Sequence, residues 1–199
     1  MLEVQKSRSI FCVMFWGFCY SGFLLGQTGT SVYQGDWPEY HGGPLAQRYS
    51  PLDQINADNV GELELAWSFS TAKFGPSTDF NNPSTPIEID GVLYANIGST
   101  RNVVAIDATS GQVLWLWRAR EGVRFDEAPR KGAGRGVSFW SDGTNKRVID
   151  VTPGYHLVSL DADTGIPDPN FGTDGVVDLF VGLRNADDPR FPYPDIGLS

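Results

Sequence analysis

The sequence has 199 residues, a net charge of −9 at pH 7, 41% hydrophobic residues and 13% aromatic residues. This hydrophobic content is enough for a packed core and excludes a chain that is disordered throughout. The acidic balance argues against nucleic acid as a partner, because phosphate binding requires a surface rich in lysine and arginine. Most of the 23 glycines and 13 prolines separate short β-branched and aromatic runs, which indicates an all-β protein with many turns.

The N-terminal segment, residues 1–30, is predicted to be a signal peptide. Lys6 and Arg8 precede an uncharged apolar stretch at residues 10–26, which predicts export across the inner membrane to the periplasm. The stretch reaches the lower length limit for crossing a bilayer, so an uncleaved membrane anchor is the alternative. Both cysteines, Cys12 and Cys19, lie inside this stretch, and the mature chain is therefore expected to contain no disulfide.

Strand-like runs dominate the rest of the chain. Residues 63–69 alternate apolar and polar side chains, which predicts a strand. Residues 86–89 and 92–97 flank Asp90-Gly91, a pair typical of a tight hairpin turn. Further strands are predicted at residues 102–106, 112–117, 137–140, 147–151 and 156–160. No window keeps a helical period, so we expect helix in less than about 15% of the chain after the signal.

A repeated segment connects these hairpins. The sequence VAIDATSG at residues 104–111 matches VSLDADTG at residues 158–165, with 54 residues between equivalent positions. Four short strands in a repeat of this length predict consecutive blades of a β-propeller. In each copy the aspartate is expected to start a turn by accepting hydrogen bonds from nearby backbone amides. The glycine supplies the positive φ that such a turn requires.

Trp115, four residues after the glycine of the first copy, is predicted to hold neighbouring blades together. Its large rigid ring can cover the gap between two sheets. The equivalent position in the second copy is Pro169, which predicts that the outer strand of that blade is broken or displaced.

The segment AIDATSGQVLW at residues 105–115 resembles the tryptophan-docking repeat of PQQ-dependent (quinoprotein) dehydrogenases. Other segments are similar to that family in order and spacing, at residues 36–40, 48–52, 55–67, 85–94, 134–140 and 161–179. The resemblance covers roughly residues 35–180. It implies an eight-bladed propeller that holds PQQ, and usually calcium, on its axis.

The fold class expected from these observations is all-β, a partial β-propeller with the first two to three four-stranded blades. Residues 31–180 are assigned to these N-terminal blades, and residues 181–199 to a loop rich in proline and aspartate at a truncated end. About 170 residues after the signal suffice for about three blades, so we expect an incomplete propeller. An open arc of blades would leave two unpaired sheet edges.

Arg135 is the one candidate cofactor-binding residue. It lies in GRGVSFW at residues 134–140, and the matching arginine of the family contacts the quinone. A guanidinium can bind a carboxylate of PQQ through two hydrogen bonds, or stabilise oxygen charge that develops as the quinone is reduced. The flanking glycines allow the backbone to approach a flat cofactor closely. The alternative is an ordinary surface arginine at a strand edge.

The sequence departs from the family at two positions near this arginine. Relatives that oxidise methanol carry an adjacent cysteine pair just upstream, whereas residues 129–134 contain no cysteine. The chain is therefore placed closer to the branches that oxidise glucose, other sugars or other alcohols. An acidic contact of the family corresponds here to Pro83, which leaves Asn82 or Asn81 as a substitute.

No catalytic residue and no metal ligand is assigned in this chain. In the family the calcium ligands and the general base come from later blades, so Ca²⁺ is expected only for a full-length member. Asp187, Asp188 and Asp195 are interpreted as a solvated face of the C-terminal loop. His156 is interpreted as a packed strand residue rather than a base.

The resemblance implies an enzyme, a dehydrogenase that transfers hydride from an alcohol or an aldose sugar to PQQ. The electrons would pass to a cytochrome or a quinone. Two alternatives remain open: a non-catalytic propeller scaffold and an inactive truncated fragment. The sequence does not identify the substrate, the electron acceptor or the oligomeric state.

Overall fold

The computed structural model describes residues 35–43, 45–77 and 82–183. The predicted signal peptide, Asn81 and the three aspartates of the C-terminal loop lie outside these residues. In the described part of the chain, no helix is long and apolar enough to cross a membrane.

Two four-stranded antiparallel sheets make up the fold, and in each the strands follow one another in chain order. The first sheet contains β1 (Ile87–Ile89), β2 (Val92–Ile97), β3 (Asn102–Asp107) and β4 (Val113–Trp117). The second contains β5 (Ser138–Ser141), β6 (Lys146–Val151), β7 (His156–Asp161) and β8 (Val176–Asp178). Two consecutive four-stranded blades are therefore present, and the predicted all-β, partial propeller fold is confirmed.

Helix is scarce, as expected. The described residues contain one α-helix, α1 (Val123–Glu127), and three 3₁₀ turns at Tyr40–Gly42, Val60–Glu62 and Thr71–Lys73. None is long enough to form a helical crossover, and every strand pairing is antiparallel.

The predicted hairpin between β1 and β2 is confirmed. Asp90 and Gly91 both adopt positive φ values, 52° and 79°, which are characteristic of a type I′ turn. The side chain of Glu88 stabilises the turn by accepting a hydrogen bond from the Gly91 backbone amide at 2.7 Å. This turn fixes the register that places Ile89 opposite Val92.

The repeated turn after β3 and β7 is also formed as predicted. The Asp107 carboxylate accepts hydrogen bonds from the Ser110 hydroxyl and from the Thr109 and Ser110 amides, and these bonds lower its pKa. Asp161 likewise accepts a bond from the Thr164 amide at 3.0 Å.

The outer strand of the second blade is displaced, as the proline predicts. After the turn, Pro167 forms only an isolated bridge with Leu160. The chain then loops until β8, which pairs with the beginning of β7 so that Asp178 lies opposite His156. Pro169 therefore lies in the loop and needs no ladder hydrogen bond.

The main core lies between the two sheets. It combines apolar residues of both blades, namely Ile87, Ile89, Tyr94, Val103 and Ala105 with Val137, Val148, Val158, Leu160 and Ala162. The opposite face of the first sheet forms a smaller cluster, which Trp67, Phe69 and Phe74 cover. The first sheet is thus packed on both faces.

The strand predicted at residues 63–69 is wrong. This segment forms no β-strand and pairs with no described strand. It instead lies over the first sheet, where Trp67 and Phe69 pack on the smaller cluster while Leu65 remains 83% exposed. Alternation alone cannot supply the backbone partner that a strand needs.

Trp115 connects the two blades, as predicted. Its indole nitrogen donates a hydrogen bond to the Ala162 carbonyl at 2.8 Å, and its ring packs on the core between the sheets. A Cβ atom at Gly165 would lie 2.6 Å from that ring, so the glycine is required for this approach as well as for its φ of 70°.

Trp67 makes the same contact one blade earlier, which the sequence analysis missed. Its indole nitrogen donates to the Ala108 carbonyl at 3.0 Å, and a Cβ at Gly111 would lie 2.6 Å from its ring. The signal was available in the sequence, because Trp67 precedes the first copy of the repeat as Trp115 precedes the second.

Candidate cofactor site

The segments that lead into the first strand of each blade meet at one place. The Thr85 amide, just before β1, donates a hydrogen bond to the Arg135 carbonyl, just before β5, at 3.1 Å. A Cβ atom at Gly136 would lie 2.7 Å from the Thr85 carbonyl oxygen, so only glycine permits this contact. The backbone of Arg135 is thereby fixed between the two blades.

A cavity of about 410 Å³ opens beside this contact. Its lining combines three arginines with a glycine-rich loop and is formed by Tyr40, Pro83, Arg101, Arg130, Gly132, Ala133, Gly134 and Arg135. The Arg135 side chain is exposed and forms no hydrogen bond or ion pair with residues that the structure describes. Its guanidinium is therefore free to bind an anionic ligand.

Arg101 is the buried arginine of this site, with 6% of its surface exposed. Its guanidinium donates to the Gly132 carbonyl at 2.9 Å and to the Val151 carbonyl at 3.0 Å. It therefore attaches the glycine-rich loop to the second sheet. Burial lowers its pKa, whereas the carboxylates of Asp150 and Glu121 raise it. Sequence reasoning missed this residue.

A second cavity of about 170 Å³ adjoins the first and shares Arg101, Gly134 and Arg135 with it. Asn96 of β2 and Asp150 of β6 line this smaller cavity and are only 1% and 5% exposed. Within the described residues, both side-chain atoms of the Asn96 amide and the Oδ2 atom of Asp150 lack a hydrogen-bond partner. Burial raises the pKa of Asp150 to about 7, against the lowering effects of the Arg101 charge and of the neighbouring Asn96 side chain.

Asn96 and Asp150 occupy equivalent positions of the repeat, 54 residues apart. Each is a buried polar residue in the second strand of its blade. Neither residue was predicted from the sequence, although a polar residue among apolar strand neighbours was a visible signal.

Pro83, which the resemblance aligns with an acidic contact of the family, lines the larger cavity. Asn82 is exposed, and its side-chain oxygen accepts a hydrogen bond from the Ser84 amide at 3.1 Å. This hydrogen bond occupies the Asn82 side-chain oxygen, the atom that could otherwise take the place of the family's carboxylate.

His156 lies in a separate polar cluster, where both nitrogens of its ring have a partner. This agrees with its interpretation as a packed strand residue. Its Nδ1 atom lies 2.6 Å from the Glu121 carboxylate, and its Nε2 atom 3.0 Å from the Arg124 guanidinium. Arg124 also forms two hydrogen bonds with Asp178, at 2.7 and 3.0 Å. The cluster attaches α1 to the second sheet. Across the described ranges, no group of three or more His, Cys, Asp or Glu residues could hold a metal ion.

The buried carboxyl group of Asp150 should make stability depend on pH. Its pKa of about 7 exceeds the unfolded value of about 3.9, so the folded state binds more protons between these values. The free energy of unfolding should therefore decrease, through this group, by up to about 4 kcal/mol as the pH rises from about 4 to 7. Asp150→Asn should remove this pH-dependent decrease. The difference in unfolding free energy between this variant and the unsubstituted protein, measured in urea, should therefore grow in favour of the variant as the pH rises.

Asp142→Asn is the matched control for this prediction. Hydrogen bonds from Asn145 lower the pKa of the Asp142 carboxyl to about 2, so its stabilisation is present near neutral pH and is lost in acid. Between pH 4 and 8 the control should therefore show almost no change with pH, because Asp142 titrates at lower pH. An advantage of Asp150→Asn that stays constant from pH 4 to 8 would contradict the prediction.

Comparison with known proteins identifies close relatives of this architecture. A sequence model of the PQQ-type glucose/ethanol/alcohol dehydrogenase β-propeller domain matches residues 37–195. The chain is 33% identical over 175 residues to the dehydrogenase subunit of alcohol dehydrogenase (quinone) from Gluconobacter oxydans (strain 621H), covering 82% of this chain and 22% of that protein. It is 31% identical over 182 residues to the quinoprotein glucose dehydrogenase of the same organism, covering 84% and 22%.

Solved structures show the same likeness. The quinohemoprotein alcohol dehydrogenase from Comamonas testosteroni superposes with a TM-score of 0.56 at 29% identity, covering 75% of this chain and 20% of that structure. A europium-containing methanol dehydrogenase gives a TM-score of 0.55 at 26% identity, covering 67% and 22%. The chain thus spans about a fifth of the length of the relatives it matches.

Proposed function

Because the chain belongs to the family of PQQ-dependent glucose/ethanol/alcohol dehydrogenase β-propellers, we propose that it serves the oxidation of an alcohol or an aldose sugar by hydride transfer to PQQ. The electron acceptor in this proposal is a cytochrome or a quinone. The predicted signal peptide supports a periplasmic location. Calcium is proposed to accompany PQQ, with ligands from outside the residues described.

One observation carries this proposal, the convergence of three arginines on a glycine-lined cavity of about 410 Å³ between the two blades. PQQ is a flat molecule with three carboxylates and an o-quinone. Guanidinium groups are well matched to carboxylates, and the open space beside Gly132 leaves room for a flat ring system, whereas Gly134 lets Arg101 approach the loop. The donors present in the cavity therefore fit this cofactor.

The residues of the site have separable roles in the proposal. PQQ, when bound, supplies the hydride acceptor of the reaction. Arg135 binds an anionic edge of the cofactor, because its guanidinium is not engaged by described residues. Arg101 acts as a positioning residue, since two of its donors already hold the Gly132 and Val151 carbonyls. The Thr85–Arg135 backbone bond keeps the two blades in register around the cavity.

Direct binding of PQQ to the purified protein tests the proposal. Arg135→Ala should weaken binding at least about tenfold in calorimetric titration, which corresponds to about 1.4 kcal/mol. Arg135→Lys should lose less, because it keeps the charge but not the two-pronged geometry. The matched control is Arg118→Ala, which removes an exposed arginine outside both cavities and should leave affinity unchanged.

In an active enzyme preparation, Arg135→Ala should lower PQQ-dependent dye reduction by at least about tenfold as well. Equal PQQ affinity of Arg135→Ala and the unsubstituted protein would show that the arginine has no role in binding the cofactor. Absence of PQQ binding by the unsubstituted protein would contradict the proposed function itself.

A further inference from the structure

Asn96 and Asp150 are expected to lower the stability of the fold when no ligand is bound. Both are almost fully buried, and three of their side-chain atoms have no hydrogen-bond partner in the described structure. Leaving a buried polar group without a hydrogen-bond partner destabilises a fold. The two side chains are neighbours, since Asn96 lowers the pKa of Asp150, and a ligand could complete the hydrogen bonding of both.

The cavity that these residues line is small and rich in hydrogen-bond donors. Its volume of about 170 Å³ is below the range of about 300–1,000 Å³ that whole small-molecule ligands occupy. Asn96, Arg101, Ser138, Arg135 and Asp150 supply the polar side chains of its lining, beside the apolar Ile149, Val151 and Leu157. Such a set suits one anionic oxygen-bearing group rather than a complete ring system.

The small cavity is connected to the proposed cofactor site through shared lining residues. Arg101, Gly134 and Arg135 border both cavities. A ligand in the larger cavity that carries carboxylates on its edge can therefore extend one of them past Arg135 into the smaller one.

We propose that Asn96 and Asp150 form a carboxylate pocket that, together with Arg135, binds one carboxylate of PQQ. The inference rests on the proposed function and adds two binding residues to it. The Asn96 amide donates to the carboxylate through Nδ2. Asp150 donates through its carboxyl proton, and burial favours this neutral form by raising its pKa. The charge of Arg101, on the same wall, offsets the remaining negative charge.

PQQ titration of the full chain tests the pocket with three substitutions. Asn96→Leu and Asp150→Leu should each weaken PQQ binding about five- to tenfold, because each removes a donor to the carboxylate. Asp150→Asn should stay within about threefold of the unsubstituted protein, since its amide can still donate. The trimethyl ester of PQQ provides a second probe. Its affinity should be lower than that of PQQ for the unsubstituted protein, and this difference should shrink in Asn96→Leu.

Thermal unfolding distinguishes a binding role from damage to the fold. At pH 5, where Asp150 is largely neutral and needs no support from Asn96, Asn96→Leu should raise Tm while it weakens PQQ binding, because it removes two unsatisfied atoms from the interior. The matched control is Asn102→Leu, at another buried asparagine whose amide donates to the Phe74 and Ile97 carbonyls. That control should lower Tm.

The outcomes separate the two levels of the proposal. If PQQ binds, Arg135→Ala weakens it, and both leucine variants bind like the unsubstituted protein, then the pocket holds only water and this inference is overturned. If the unsubstituted protein binds no PQQ, the proposed function fails and the inference fails with it. Loss of affinity in the leucine variants, retention in Asp150→Asn and a smaller effect of esterification would support the carboxylate pocket.

Discussion

Trp115→Ala is expected to lower the free energy of unfolding by about 3–5 kcal/mol, the usual cost of truncating a packed tryptophan. The indole ring packs on the core that both sheets share and lies 6.0 Å, centroid to centroid, from the Tyr94 ring. Its nitrogen also donates to the Ala162 carbonyl, so truncation removes a hydrogen bond between blades together with apolar contact. The measurement is equilibrium unfolding in urea, followed by circular dichroism.

Trp140→Ala is the matched control, because this tryptophan of β5 is 47% exposed. Its loss should cost less than about 1 kcal/mol, as is usual for exposed positions. Trp115→Phe should fall between the two, since it keeps an aromatic ring but loses the indole donor, worth about 1 kcal/mol. Equal costs for Trp115→Ala and Trp140→Ala would show that the ring does not hold the blades together.

The parts of the fold that could be predicted are those that depend on local chemistry. Asp90-Gly91 sets its own hairpin because the backbone angles of the turn are available to those two residues. The turn after Asp107 is equally local, since its carboxylate bonds to amides two and three residues on. Trp115 was found because the repeat placed it at a fixed distance from that turn.

The segment at residues 63–69 shows the limit of such reasoning. Its alternation is real, but a strand also needs a partner for its backbone groups, and periodicity does not indicate whether one exists. The segment packs on the face of the first sheet through Trp67 and Phe69 instead.

The candidate site was predictable only in part, because most of it is assembled from distant parts of the chain. Arg135 was identified through its motif, and it lines both cavities. Asn96 and Asp150 come from different blades, and their facing the same cavity depends on how the blades pack. Arg101 was overlooked because arginine is seldom buried, and its partners, the Gly132 and Val151 carbonyls, are backbone atoms that leave no trace in the sequence.

Arg101→Met is expected to lower the free energy of unfolding by about 3–5 kcal/mol at pH 8, because the buried Asp150 carboxylate then loses its positively charged neighbour. The substitution leaves the Gly132 and Val151 carbonyls without their donor. It also removes the positive charge that lowers the pKa of Asp150, so this carboxyl group should titrate at a higher pH than in the unsubstituted protein. The exposed Arg118→Met is the matched control and should change stability by less than about 0.5 kcal/mol.

The double variant Arg101→Met/Asp150→Asn separates the electrostatic part of this cost from the hydrogen-bonding part. At pH 8 the substitution at Arg101 should cost less in the Asp150→Asn background, because no carboxylate remains to be stabilised. At pH 5 Asp150 is largely neutral, so the two backgrounds should give nearly the same cost, set by the two lost carbonyl contacts. Urea unfolding of the four proteins at both pH values measures this coupling. Equal costs in both backgrounds at pH 8 would show that Arg101 acts through its hydrogen bonds alone and does not govern the charge of Asp150.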